Sequence, residues 1–284
     1  MIYNRSNNEY YENRESKFLV FMYNTIPGRV VLKVATRKWV SATLGLYMKT
    51  PISKLKIKKF IKKNHINMED FEKTKYKSFD KFFIRNIKPD KRPLHSDNNL
   101  FLSPCDSRLS VYRIDSDTNI NVKNSNYTIG ELLKDNDLAK EYSGGYCLVF
   151  RLCVDDYHHY HFNDDGIVLN HKKIKGVLNT VRPVALKSKK VFSENNREWT
   201  LLATKHFDNI IFMEVGAIGV GKIVNLKVKE FKRGDEKGYF RFGGSTVILL
   251  VKKDVLELDQ DILEEASKDN EIQIKLFEPI GRRR

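Results

Sequence analysis

The spacing of apolar positions changes along the chain. From Val30 to Met48 the apolar residues Val31, Val34, Ala35, Trp39, Ala42 and Tyr47 recur at three- to five-residue steps, with Lys33, Arg37 and Lys38 between them. This predicts one amphipathic helix. The next segment, PISKLKIKKFIKKNH, starts at Pro51 and sets six lysines among Ile52, Leu55, Ile57, Phe60 and Ile61. It predicts a second, strongly basic helix, which suits an anionic membrane surface or a solvated lysine face over ordinary core packing. Ser78, followed by Phe79, Phe82 and Phe83, predicts a third helix that ends before Pro89. Thr128 and Glu131 form a capping-box pattern ahead of Leu132 and Leu133 and predict a short helix there.

After about Gly145 the texture is that of strands: YCLVFRLC, IKGVLNTV, WTLLAT, IIFMEV, IVNLKVKEF and YFRFGGSTVILLV. Helices first and strands afterwards predict an α+β fold, N-terminal amphipathic helices followed by a mostly antiparallel, sandwich-like β core. The last stretch is unusual, because Gly243 and Gly244 interrupt it just before Ser245. Glycine inside a strand gives up packing and marks a bulge or a point of close approach to the backbone.

Composition narrows the partners. With 41% hydrophobic residues the chain can bury a sizeable core, and 51 Lys and Arg against 36 Asp and Glu give a net charge of +15. Such a surface attracts an anionic partner, either a lipid surface or nucleic acid. Cys105, Cys147 and Cys153 are odd in number and lack paired CxxC spacing, so neither a disulfide framework nor a zinc ribbon is encoded, and a reducing compartment is expected. The first residues, MIYNRSNNEYYENRESK, lack the apolar core of a signal peptide, and no uninterrupted run approaches the roughly 20 apolar residues that span a bilayer.

Several short motifs carry candidate chemistry. GAIGVGKI, from Gly216 to Ile223, nearly matches a phosphate-binding loop, but Ile223 offers no hydroxyl for magnesium and a strand follows Lys222, so a turn between strands is expected. DDYHHYHFNDDG, from Asp155 to Gly166, holds three of the seven histidines within four residues. On a strand His159 and His161 share a face, which leaves a metal site, acid–base work and plain surface residues all open. LSPCDSRL places one acid, Asp106, in a turn, where it ordinarily satisfies local backbone groups. In FFIRNIKPDKRPL, Arg85, Lys88, Lys91 and Arg92 suit phosphate or simple solvation.

In this order FFIRNIKPDKRPL, SPCDSRL, DYHHYH, FMEVGAIGVGKI and KGYFRFGGSTVILL resemble the phosphatidylserine decarboxylase proenzymes, in particular the bacterial forms with a Gly-Gly-Ser-Thr site. The resemblance runs from about Phe79 to near the C-terminus. It implies self-cleavage between Gly244 and Ser245, giving a large chain 1–244 and a small chain 245–284 that begins with a pyruvoyl group derived from Ser245. It implies that His161, oriented by Asp106, is the base that activates Ser245, and that His158 protonates the carbanion left by decarboxylation. The pyruvoyl group is then the only cofactor, and no metal is expected. Cys105, Ser107 and His159 depart from the commonest family pattern, while Asp106, His158, His161 and Ser245 match it.

The expected organisation is a helical, membrane-facing region over residues 1–77 and a catalytic core over 78–284. The expected activity converts phosphatidylserine to phosphatidylethanolamine and carbon dioxide at an anionic membrane, peripherally and on the cytoplasmic face, with no nucleic acid involved. A homodimer is what the family suggests. The competing readings are a non-enzymatic basic module for membranes or nucleic acid, in which the histidines and glycines are structural, and a metal hydrolase built on the histidine cluster.

Overall fold

The structure, a computed structural model, describes residues 1–284 except 14–15, 123–124, 187–188, 219–221 and 244, with only the backbone of Lys38. Its frame is a ten-stranded main sheet in the order 230–231, 166–174, 197–204, 209–216, 245–251, 146–152, 107–113, 271–274, 2–4 and 9–11. Its pairings are antiparallel except that of Ile2–Asn4 with Glu271–Ile274. The fold is therefore α+β with a largely antiparallel sheet, as the change of spacing predicts.

The strand Ser245–Val251 lies near the middle of this sheet and is buried at all seven positions. With a partner on each edge and cover on both faces, STVILLV can be apolar at nearly every position instead of alternating. A smaller sheet, 222–225, 236–241 and 159–161, lies over the main one. Tyr160 joins the two layers: its ring is 5.8 Å from that of Phe212 in the main sheet and 4.9 Å from that of Phe240 in its own. Gly238 lets Tyr160 in, since a Cβ there would stand 2.1 Å from the Val224 carbonyl and 2.8 Å from the Tyr160 hydroxyl.

Three expected elements differ in detail. The single helix expected from Val30 to Met48 is two, Ile26–Ala35 and Lys38–Lys49. At the break the Thr36 carbonyl accepts the Leu178 N–H (3.2 Å) and Arg37 is extended (ψ 140°), so the helical ladder cannot continue. The basic segment is a 3₁₀ stretch, Pro51–Lys56, then a helix, Ile57–Asn64, closed by His65 in the left-handed region. The glycine-interrupted stretch is two strands: Glu236–Arg241 belongs to the small sheet and Ser245–Val251 to the main one.

The Ser78 and Thr128 caps form as expected. Ser78 Oγ accepts the Lys81 N–H (3.3 Å) and Thr128 Oγ1 accepts the Glu131 N–H (3.0 Å). The Glu131 carboxylate turns outward to Lys190 (3.1 Å). IKGVLNTV is strand only through Ile174; beyond it Val177 makes one parallel bridge to Asn195. The hairpin Ile2–Asn4 and Glu9–Tyr11 was not foreseen, although it lies in the stretch expected to be helical.

Candidate active site

Ser245 opens its strand, pairing with Gly216 on one side and Leu152 on the other, and is fully buried. The chain reaches it through Gly243, whose φ of +132° is closed to residues with a Cβ. That conformation lets the backbone step from the small sheet to the main one. Gly244, the expected donor of the cleaved carbonyl, lies outside the described residues.

His158 stands against Ser245, with Nδ1 3.4 Å from Oγ. Its Nε2 lies 2.9 Å from the Cys153 carbonyl, and a nitrogen facing a carbonyl must donate. The proton therefore sits on Nε2, and the lone pair of Nδ1 faces the serine. Burial lowers the His158 pKa to about 3, opposed by Asp156 and reinforced by Arg85, so the ring is neutral at physiological pH. Phe83 covers one ring face at 4.1 Å between centroids.

The turn that delivers His158 is held by charge. Asp156 accepts from Arg108 Nη1 at 2.9 and 3.1 Å and from the Cys153 N–H at 2.7 Å. Arg85 donates to the Asp155 carbonyl (3.0 Å) while its guanidinium stacks over Phe71 and Phe82. Being buried, Arg85 has its pKa pushed down to about 10. It is a scaffold for the histidine turn and not the exposed phosphate contact that its basic motif allowed.

The Asp106 carboxylate is clamped by Arg92 through Nε (2.9 Å) and Nη2 (2.6 Å) and by the Leu276 N–H (2.7 Å). His161 Nδ1 donates to the Gly234 carbonyl (3.0 Å), and its buried Nε2 has no partner. Burial lowers its pKa too. The two are near neighbours through the chain: the His161 N–H donates to the Pro104 carbonyl, and the His161 ring packs on Phe277, next to Leu276. Among the described residues neither His161 nor Asp106 hydrogen-bonds Ser245, nor do they bond each other. His159 Nδ1 lies 3.1 Å from a Glu236 carboxylate oxygen, and its ring stacks on Tyr157. No group of three or more His, Cys, Asp or Glu is placed to hold a metal among the described residues.

A buried serine behind a glycine turn, faced by the lone pair of a neutral histidine, can do acyl-shift and proton-transfer chemistry. The family model for phosphatidylserine decarboxylase matches residues 79–280. The chain belongs to the phosphatidylserine decarboxylase family. It is 48% identical over 284 residues to phosphatidylserine decarboxylase proenzyme 2 of Clostridium acetobutylicum, covering 99% of this chain and 97% of that one. It is 39% identical to the phosphatidylserine decarboxylase proenzyme of Clostridium beijerinckii, covering 99% and 98%, and 40% identical to that of Clostridium botulinum, covering 99% of each.

In this family member a cavity of about 630 Å³ is lined by Lys222–Lys229 and by none of Asp106, His158, His161 and Ser245. A smaller one, about 310 Å³, is lined by Leu152, Cys153 and Gly243, which surround Ser245. Sequence reasoning did not find Arg92 as the partner of Asp106, nor Cys153 as the support of His158. The first sits in a motif already singled out; the second acts through a backbone carbonyl, which leaves no side-chain signature.

Proposed function

We propose that this chain is a self-processing, pyruvoyl-dependent phosphatidylserine decarboxylase that forms phosphatidylethanolamine and carbon dioxide. The observation that carries this is Ser245, buried at the glycine break of a central strand with its Oγ facing His158 Nδ1, in a chain of this family. Ser245 Oγ attacks the Gly244 carbonyl, its proton leaves, and the amide C–N bond breaks to give an ester and a free amine. Loss of the Ser245 Cα proton with cleavage of the Cβ–O bond releases chain 1–244 as a carboxylate. Water then replaces the resulting enamine nitrogen, which departs as ammonia, and chain 245–284 begins with a ketone.

The pyruvoyl group so formed supplies the electron sink for loss of carbon dioxide. The side chains divide the proton transfers. His161 takes the hydroxyl proton of Ser245 during cleavage, with Asp106 balancing the charge; its buried, unpaired Nε2 is what supports this role. Ser245 and His161 must then approach each other, and Asp106 must loosen its hold on Arg92. His158, already in contact with the Ser245 position, returns a proton to the substrate carbon after decarboxylation.

The substrate side of this reading is the helical segment. Phe18, Ile26, Val30, Trp39, Leu46, Ile52 and Leu55 are exposed there among many lysines. Among the described residues no single helix is long and apolar enough to cross a membrane; only Lys17–Asn24 and Ile26–Ala35 together, bent by 103°, reach that length and composition. An apolar surface ringed by lysines suits peripheral docking on anionic lipid, and the three free cysteines suit the cytoplasmic face.

A denaturing gel tests the reading. Wild-type protein resolves into chains 1–244 and 245–284, and Ser245→Ala stays whole. His161→Gln stays whole, whereas His158→Gln is cut but does not decarboxylate. Cleavage that survives in His161→Gln and is lost in His158→Gln would transfer the base role to His158.

A further inference from the structure

The turn Cys153–Asp156 that precedes His158 is closed twice by one residue. The Asp156 N–H donates to the Cys153 carbonyl (3.1 Å), and the Asp156 carboxylate accepts the Cys153 N–H (2.7 Å). The same Cys153 carbonyl takes the Nε2 proton of His158 (2.9 Å). Cys153 thus stands between a carboxylate on its N–H and an imidazole on its carbonyl. Asp156 is 5% exposed and is matched by Arg108, 6% exposed, whose Nη1 lies 2.9 and 3.1 Å from its two oxygens. Arg151, opposite Arg108 in the ladder, has its own acid in Glu271 (2.6 Å), so Asp156 does not serve both.

His158 must change charge to do what is proposed for it. Its Nδ1 presents a lone pair to the Ser245 position, so it accepts a proton before it can give one. The substrate brings that proton: its headgroup amine arrives as an ammonium and must lose one proton to attack a ketone. Nδ1 takes it and returns it to the substrate carbon once carbon dioxide has left; the product amine departs neutral and takes its own proton from water. Between the two transfers the ring is an imidazolium in a fully buried place. Burial disfavours that form, Asp156 is the strongest influence in its favour, and Arg85 and His159 oppose it. Burial also works against the Asp156 carboxylate, but Arg108, Lys275 and the Cys153 N–H outweigh it and hold the acid below the usual carboxylate range, so the charge is always present. Asp155, its acidic neighbour, lies 3.9 Å from the same arginine.

We propose that Asp156, with Arg108 behind it, is the positioning residue of His158: it locks Cys153 so that the imidazole proton stays on Nε2, and it supplies the negative charge under which the imidazolium forms. A carboxylate that touches a histidine directly does the same two things; here they pass through one residue of main chain. The proposal rests on the reading of Ser245 and His158 given above.

Two measurements test it. Nitrogen-15 NMR of the uncleaved Ser245→Ala protein at neutral pH should show His158 as one tautomer, protonated on Nε2, and Asp156→Ala in that background should mix the two tautomers. In processed enzyme acting on phosphatidylserine in mixed micelles, with a gel fixing the processed fraction, Asp156→Asn keeps the shape and loses the charge. Its kcat should fall at least about tenfold with KM within about threefold, and the slowing of kcat in heavy water should grow, because proton return becomes the harder step. Both variants leave Arg108 buried without its counter-charge, so each is also made with Arg108→Gln, which removes the stranded charge and should show the same losses. A single Nε2 tautomer retained without Asp156, a loss confined to KM, or a kcat loss with no larger heavy-water effect would overturn the assignment. A wild type that does not decarboxylate would instead remove the reading of the site, while the tautomer measurement would still decide whether Asp156 governs His158.

Discussion

At the scale of the residue, the site was legible where it is written in side chains. The motif order singled out Asp106, His158, His161 and Ser245, and the structure sets His158 on Ser245 while holding Asp106 on Arg92 and His161 on the Gly234 carbonyl. Which histidine touches the serine follows from the strand, since His158 and Tyr160 both turn toward the main sheet. A pattern reading places residues on faces but cannot say which end of a face meets a serine some ninety residues away. His158 also makes a prediction that needs no substrate. Burial lowers its pKa from 6.5 to about 3, so between those values the unfolded chain carries a proton that the folded one refuses. Its contribution to stability is complete above pH 6.5 and is lost progressively as the pH falls toward 3. Urea unfolding of the uncleaved Ser245→Ala protein from pH 7.5 to 4.5 should therefore show a pH slope that shrinks by up to about one proton when His158→Gln is added. An unchanged slope would mean that His158 is not buried and neutral in the folded protein.

At the scale of the element, the sequence indicated which segments are helix or strand better than where each ends. The break at Thr36 depends on the N–H of Leu178, far along the chain, which takes a carbonyl that the local pattern reserved for the helix. The split of the glycine-rich stretch is likewise decided by which sheet each half joins. Beneath the small sheet, Lys237 meets Glu214 at 2.6 Å with both fully or nearly fully buried, and Asn225 bridges them, donating to Glu214 (3.0 Å) and accepting from Lys237 (2.9 Å). This network ties the sheet that carries the histidines to the strand that pairs with Ser245. Burial pushes the Glu214 pKa up, against the pull of Lys237. Lys237→Met, which strands Glu214, should destabilise the protein by about 3–5 kcal/mol, and pairing it with Glu214→Met should recover most of that loss in denaturant titrations. A double variant no more stable than the single one would refute the assignment of the cost to a stranded charge.

At the scale of the whole molecule, helices before strands were enough for the fold class, whereas the pairing of Ile2–Asn4 with Glu271–Ile274 was invisible because it joins the two ends of the chain. The same topology shapes the outcome of cleavage. The strand Ser245–Val251 is gripped on both edges, by Asn209–Gly216 and Tyr146–Leu152, so a cut before Ser245 frees a chain end without freeing the small chain. The processed protein should keep its native mass and come apart only in denaturant. The most direct measurement is therefore the intact mass of the small chain released in denaturant. The account predicts residues 245–284, lighter by one ammonia than the chain that begins with serine and blocked to Edman degradation. A small chain of unmodified mass with a free amino terminus, or no small chain at all in protein that decarboxylates phosphatidylserine, would contradict it.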